Sequence, residues 1–538
     1  MRLRAEEPLL GYGAWALALV AALALQNGYI HPDEWHQSVE VAASAVTGVR
    51  SGWPWEFREA AARSVLVPAL SAGPPLLILS ALRCLSAGAL VAALRAYLSL
   101  TAGVLCRCAA VRASEAMGAD AACSRRAGAA LAGSWPALVL LCRPLSNTLE
   151  AASVAVTLLL ALPAKSPGPP PLAMWRFLSL GGVLGVATFC RFTAPLFLGP
   201  LLALALARAQ AQSLFGVRRL ASCAAALVLG AAAAAACCLA ADTAFYGRTV
   251  VTPLNSLRYN SRAANLALHG THPRLLQAAV NLPLLAMPLM PHAMASVVAA
   301  ARALLSARRG RDGAPLSSLL LRGEATACAL ALACALPMAC LSLAPHQEAR
   351  FLLPMLLPLA ALGGGEALRT RRRRALWLLF NVPLALFFGG AHQGGVVPAA
   401  AAVGGHLGLR TPAQVLCGAT VTWWRSYMPP RSLMMLHAHA LSTRVVDVGD
   451  APMQELLAVL ERDDATPGAH CGCSTRYLVM PGWAHPPDGW EPLAPPFAPH
   501  FSGEDVGQAL QAWRGGLDAR HAWGLAAYTR RCAVREVG

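Results

Sequence analysis

Long apolar runs alternate with short polar connections from about residue 12 to about residue 410. Many of these runs approach or exceed the ~20 residues that a helix needs to cross a bilayer, which predicts serial membrane helices in one bundle. The first run, 12–27, follows Arg2 and Arg4 and resembles a signal peptide. It has no clear cleavage site before "NGYIHPDE", so it reads as an uncleaved first span. Segment 65–82 is equally apolar but is broken by Pro68, Pro74 and Pro75, which predicts a re-entrant or surface helix in place of a span. The expected total is about eleven crossings, within roughly eight to twelve because several runs are short. Past residue 410 the pattern changes to a mixture rich in Pro, Trp and Asp. The expected organisation is therefore an all-α membrane module over 1–410 and a small C-terminal region over 411–538. No fixed-period repeat or heptad pattern runs through the chain.

Composition agrees with this pattern. Of the 538 residues, 56% are hydrophobic and 13% charged, with a mean hydropathy of +0.50, whereas a soluble protein carries roughly a quarter charged residues. The net charge of +17 would suit a nucleic-acid partner, but no DNA- or RNA-binding module is legible. The basic residues, all Arg except Lys165, gather instead in short connections: "CSRRAG" (123–128), "KSPGPPP" (165–171), "ARAQAQSLFGVRRL" (207–220), "ARRGRDG" (307–313) and "RTRRRR" (369–374). The positive-inside rule puts these on the cytosolic face. The alternate connections, 143–150, 190–195, 246–273, 344–351 and 389–395, then face the lumen, as do 28–64 and 411–538.

Most of the 16 cysteines lie inside apolar runs and act as small hydrophobes. Cys471, Cys473 and Cys532 are candidate disulfide partners in an oxidising lumen. As a zinc set they are incomplete and badly spaced, and no metal site is expected.

The unusual polar clusters all fall on the expected lumenal side, where ionisable residues at membrane depth mark function. "GYIHPDEWHQ" (28–37) sets His31, Asp33, Glu34 and His36 just past the first span. Pro32 turns the chain there. Asp33 suits either a helix cap or a general base. "APHQEARFLLP" (344–354) places His346, Gln347, Glu348 and Arg350 at the start of an apolar helix. That pattern suits either an interfacial ion pair or an anion site. Arg63, Arg143 (with "SNT", 146–148, containing Asn147) and Arg191 stand at lumenal helix ends, as membrane anchors or as part of the same anion site. His392 marks the last crossing. "WWRSYMPPRSL" (423–433) reads as an interfacial aromatic belt. No P-loop, dinucleotide-binding, HExxH or GxSxG context is present.

"HPDE", "RPLSNTLE", "CRFTAP", "HQEARFLLP" and "HQGG", in this order over residues 28–435, resemble the lumenal glycosyltransferases that use dolichyl-phosphate-mannose and carry a first-loop His-Pro/Ala-Asp-Glu motif. Gln347 stands where several members have lysine. With "RSVLVP" (63–68) and "SNTLE" (146–150), it is most similar to the branch that adds the fourth mannose of the GPI anchor. Where that branch tends to carry two aromatics after HPDE, this chain has Trp35 and His36. The resemblance implies an ER membrane enzyme of the GT-C fold, without cofactor or metal, whose partners are dolichyl-phosphate-mannose, a GPI precursor and ER lipids. It would transfer mannose in an α1,2 linkage with inversion. Asp33 and Glu34 would be catalytic; His346, Gln347, Arg350 and Arg191 would hold the donor phosphate; His31, Arg63, Arg143, Asn147, Glu348 and His392 would position substrate. Three alternatives remain: another acceptor (the third GPI mannose or the N-glycan precursor), a transporter, or a non-catalytic subunit.

Overall fold

The computed structural model describes residues 26–48, 52–162, 173–213, 216–309, 314–409, 415, 418–434, 443–464 and 475–530. The first predicted span, Lys165 and the three C-terminal cysteines Cys471, Cys473 and Cys532 lie outside the described residues. The chain divides into two compact units. One comprises 1–54, 68–97 and 384–538; the other comprises 55–67 and 98–383.

Among the described residues, five helices are long and apolar enough to cross a membrane: Ala87–Ala116, Ala194–Ala211, Gly216–Tyr246, Gly323–Leu341 and Arg371–Ala391. Gln277–Ala286 and Met290–Arg309, bent by 105° at their junction, together make a sixth. Ser146–Ala161, Met174–Cys190 and Val396–Gly408 are shorter apolar helices. Segment 65–82 forms Leu66–Ser71 and Gly73–Ala81, both far below spanning length, as its prolines predict.

In the second unit, Met174–Cys190 packs backbone to backbone on Gly216–Tyr246. A Cβ at Gly181 would stand 1.9 Å from the Leu227 carbonyl oxygen, and one at Gly230 2.0 Å from that of Leu178. Small residues thus let two membrane helices approach where no hydrophobic drive separates helix from lipid. Asp242, buried in the long helix, accepts from Ser64 Oγ (2.8 Å), the Val65 N–H (2.9 Å) and Thr252 Oγ1 (2.7 Å). This one carboxylate fixes the chain on either side of the helix end.

The first unit departs from the all-α expectation. Residues 419–530 contain a five-stranded sheet in the order β2-β1-β3-β5-β4. β1 (Ala419–Trp423) pairs in parallel with β2 (Thr443–Asp447) and β3 (Thr475–Pro481), while β5 (Leu525–Arg530) is antiparallel to β3 and β4 (Glu491–Pro492). Both faces are covered. Tyr477 and Val479 join a core with Trp35, Leu76 and Val396, while Leu478 and Met480 join a second with Leu456 and Trp490. Trp423 and Trp424, read from the sequence as a membrane-interface belt, are buried in these two cores. The pleat sends them to opposite faces.

Candidate active site

In the second unit, five sequence-predicted residues come together around Phe351. Arg191 follows Met174–Cys190, and its Nε lies 3.1 Å from Glu150 of Ser146–Ala161. Thr193 Oγ1 donates to the other oxygen of that carboxylate at 2.6 Å. Ser146 Oγ accepts from Arg191 (3.1 Å) and Arg63 (3.4 Å). From the turn before Leu356–Ala367, Glu348 accepts from Nε and Nη2 of Arg350 and, at 2.8 Å, from His346 Nε2. The guanidinium carbons of Arg191 and Arg350 stand 5.2 and 5.6 Å from the Phe351 ring centre. Three guanidinium groups therefore gather against two carboxylates. Burial lowers the Arg191 pKa, Glu150 opposes that shift, and Arg63 and Arg350 add to it. The hydrogen bond that His346 donates to Glu348 raises the pKa of the imidazole. Positive charge remains in excess, and an anion would relieve it.

Two neighbours behave differently. Asn147 is wholly buried, yet neither its amide nitrogen nor its oxygen has a hydrogen-bond partner among the described residues. Native proteins rarely strand a buried amide, so this one calls for a partner from outside the chain, a water or a ligand. Gln347, expected beside the donor phosphate, is already engaged with backbone. Its Oε1 accepts from the Gln277 N–H at 3.0 Å, and its Nε2 donates to the Ala344 (3.1 Å) and Ser342 (3.2 Å) carbonyls. It holds the turn. Arg143 is fully buried, not snorkelling, and donates from Nε to the Val139 carbonyl at 2.9 Å.

The first unit carries the HPDE turn. Asp33 and Glu34 already belong to the helix that starts there, and the His31 imidazole caps it, with Nδ1 3.1 Å from the Asp33 N–H. The capping role open to Asp33 in the sequence is thus filled by its neighbour. The Asp33 carboxylate, 3.5 Å from His31 Nδ1, keeps 24% of its side chain exposed. Glu34 has no exposed surface and lies 4.0 Å from buried Arg95. A wide π turn, Trp35–Val39, follows at once, a deformation common near functional sites. Tyr427 stands between two imidazoles, 6.5 Å from His31 and 5.7 Å from His392 by ring centres. Its N–H donates to Gln393 Oε1 at 3.3 Å. Glu40 accepts from the Ser432 N–H and hydroxyl, fixing the chain beyond Tyr427.

The sequence profile of the Alg9-like mannosyltransferase family matches residues 14–435, more than three quarters of the chain. The chain belongs to that family. It is 34% identical over 467 residues to GPI alpha-1,2-mannosyltransferase 4 of Homo sapiens, covering 81% of this chain and 78% of that one. It is 30% identical over 507 residues to GPI mannosyltransferase 4 of Emericella nidulans, covering 89% and 85%. Among solved structures, ArnT from Cupriavidus metallidurans bound to undecaprenyl phosphate aligns over 98% of this chain at a TM-score of 0.51 and 12% identity. The shared fold is the GT-C-like helical architecture expected from the sequence. The protein is a membrane-embedded mannosyltransferase.

Four residues that brace or adjoin the two clusters of this mannosyltransferase escape sequence reading. Arg95 and Asp242 lie inside apolar helices, where a lone charge was the available signal. Phe351 adjoins the HQEAR motif and Tyr427 sits in the presumed belt; their roles depend on partners far along the chain. Among the described residues, no three His, Cys, Asp or Glu side chains gather as metal ligands.

Proposed function

We propose that this enzyme transfers mannose from dolichyl-phosphate-mannose, in an α1,2 linkage and with inversion, to the third mannose of a GPI-anchor precursor. The reaction would take place on the lumenal face of the ER membrane, and the membrane module would cross about eleven times; the described long, paired and short apolar helices would supply nine of these and the predicted first span, 12–27, another. The observation that carries this reading is the cluster of Arg63, Arg191 and Arg350 with its excess positive charge. Cleavage of a sugar phosphate needs charge stabilisation where the phosphate departs, and guanidinium groups supply it without a metal or other cofactor. The names of the relatives support the acceptor.

Inverting transfer also needs one carboxylate to take the proton of the attacking hydroxyl as an oxocarbenium-like transition state forms. Asp33 is assigned that role toward the acceptor's 2-hydroxyl, since it retains access to solvent. Glu34, sealed against Arg95, holds the turn and orients it. His31 fixes the turn's first residues, and His392 supports Tyr427 beside it. His346 and Arg350 hold the donor phosphate with Arg191. Arg63, Arg143, Asn147 and Glu348 position substrate.

The test is purified enzyme in phosphatidylcholine nanodiscs with dolichyl-phosphate-mannose and acceptors bearing two or three mannoses. One α1,2-linked mannose on the three-mannose acceptor, retained in EDTA, is expected. Transfer only to the two-mannose acceptor or to an N-glycan precursor would overturn the assignment, and loss in EDTA would overturn its metal independence.

A further inference from the structure

The connection after Gly216–Tyr246 is richer in arginine than its position explains. Arg248, Arg258, Arg262 and Arg274 all fall between that helix and the bent pair. Charge alternation assigns this stretch to the lumenal face, where basic residues are ordinarily sparse. Three of them line a cleft of about 560 Å³ together with Tyr259, and Glu59 is the lone carboxylate of the lining. Arg248 donates to the Glu59 main-chain carbonyl at 2.8 Å. Neither Arg258 nor Arg262 has a side-chain hydrogen bond or ion pair among the described residues. A concave wall with three guanidinium groups and one carboxylate concentrates positive potential and attracts an anion.

Three further observations narrow the anion. Trp55, exposed, packs on Tyr259 with ring centres 4.4 Å apart and planes tilted by 37°, giving the cleft an aromatic margin of the kind that packs against a sugar face. Leu254 and Leu257 on the same short helix, Thr252–Asn260, and Leu268 just beyond it are exposed and apolar. Leu254 and Arg258, one turn apart, share the face that lines the cleft, and exposed leucines beside an arginine suit a lipid headgroup region. Finally, Tyr259 OH is 3.0 Å from His269 Nε2, and the His269 ring is 5.8 Å from that of His346. One side chain, His269, separates the cleft wall from the His346–Glu348–Arg350 cluster. The ligand therefore combines an anionic group, a sugar and a lipid, and it reaches the anion site described above.

We propose that the cleft binds the phosphodiester of the acceptor glycolipid: Arg258 and Arg262 grip the diester, Arg248 closes one side, and Trp55 and Tyr259 pack against an adjoining sugar. This rests on the reading that the acceptor is a GPI precursor. The headgroup of a bulk anionic phospholipid has the same chemistry, and the experiment separates the two.

Full-length enzyme and Arg258→Gln/Arg262→Gln are compared in nanodiscs of phosphatidylcholine alone, with acceptor and donor titrated separately. Loss of two charge-assisted contacts should raise acceptor KM by about tenfold or more, well beyond any rise in donor KM. Glycerophosphoinositol, the deacylated headgroup, should compete with acceptor for wild type and lose potency against the variant. Arg258→Lys/Arg262→Lys should recover part of both effects. The exposed side chains leave the melting temperature unchanged. An acceptor KM within twofold of wild type would overturn the proposal. So would a defect that emerges only when phosphatidylserine is added to the bilayer, with no competition by glycerophosphoinositol, since the site would then serve bulk lipid. If wild type transfers nothing to the three-mannose acceptor, the functional reading fails, whereas direct calorimetric binding of glycerophosphoinositol, lost in the Gln variant, would still support the cleft.

Discussion

Arg191 pairs with Glu150 at 3.1 Å across two helices, and the carboxylate has no exposed surface. Thr193 donates to the other carboxylate oxygen, so Glu150 is hydrogen-bonded by the threonine as well as paired with the arginine. Removing one partner of a buried pair strands the other charge, at a cost of about 3–5 kcal/mol. Glu150→Ala should lower the melting temperature of the detergent-solubilised protein sharply, and Glu150→Gln, which keeps the Thr193 bond, should lower it less. Equal melting of both variants and wild type would show that Arg191 does not depend on this carboxylate.

Asp33→Asn keeps the shape of the HPDE turn and the N–H that the His31 ring caps. It removes the proton acceptor, so mannose transfer should fall by about 10²- to 10⁴-fold, the usual contribution of a general base. Melting temperature and nanodisc insertion should match wild type. Near-normal transfer would move the base elsewhere.

Asn147 separates function from stability. Its buried amide has no partner among the described residues, so replacing it with leucine removes none of their hydrogen bonds and relieves a desolvated polar group. Asn147→Leu should melt at or above the wild-type temperature while its KM for one of the two substrates rises severalfold. A destabilised variant with unchanged kinetics would make this residue a structural one.

Two histidines predict acid sensitivity. Burial pushes His36 down to about 4 and His500 down to about 3, from an ordinary 6.5. Below pH 6.5 the unfolded chain takes up protons that the folded chain refuses, so stability present at neutral pH is lost as pH falls. Each group accounts for about 2 kcal/mol by pH 5. His500 Nδ1 accepts from the Gly395 N–H at 3.2 Å, so His500→Gln can keep that bond without titrating. Melting curves from pH 7.5 to 5 should decline less steeply for this variant, and parallel declines would remove His500 as a cause.

What the sequence disclosed follows from physical contrast. Apolar runs against arginine connections, and carboxylates beside histidines in an apolar setting, stand out in a linear string. The sheet does not. Strands such as "TRYLVMP" (475–481) and "LAAYTR" (525–530) are covered on both faces, so they read as plain apolar runs without polar alternation. Gln347 shows a related limit: its motif displays a polar side chain, but the backbone groups of Gln277, Ser342 and Ala344 that engage it lie out of sight in a linear string. Glu34 and Arg95 are separated by a proline-broken segment, and nothing local links them.

Glu40 is held by Ser432, 392 residues later in the chain, and Tyr29 by the Met428 carbonyl, 399 residues later. At a synthesis rate of about 5–20 residues per second, the HPDE turn waits roughly 20–80 s for these clamps. Biogenesis must therefore shelter a half-built turn at the membrane while most of the protein is still being made. A chain cut short before residue 428 would keep its complete HPDE motif and nearly all its membrane helices and still lack the grip that orients them. A stop codon late in the gene is as damaging to Asp33 as a mutation beside it.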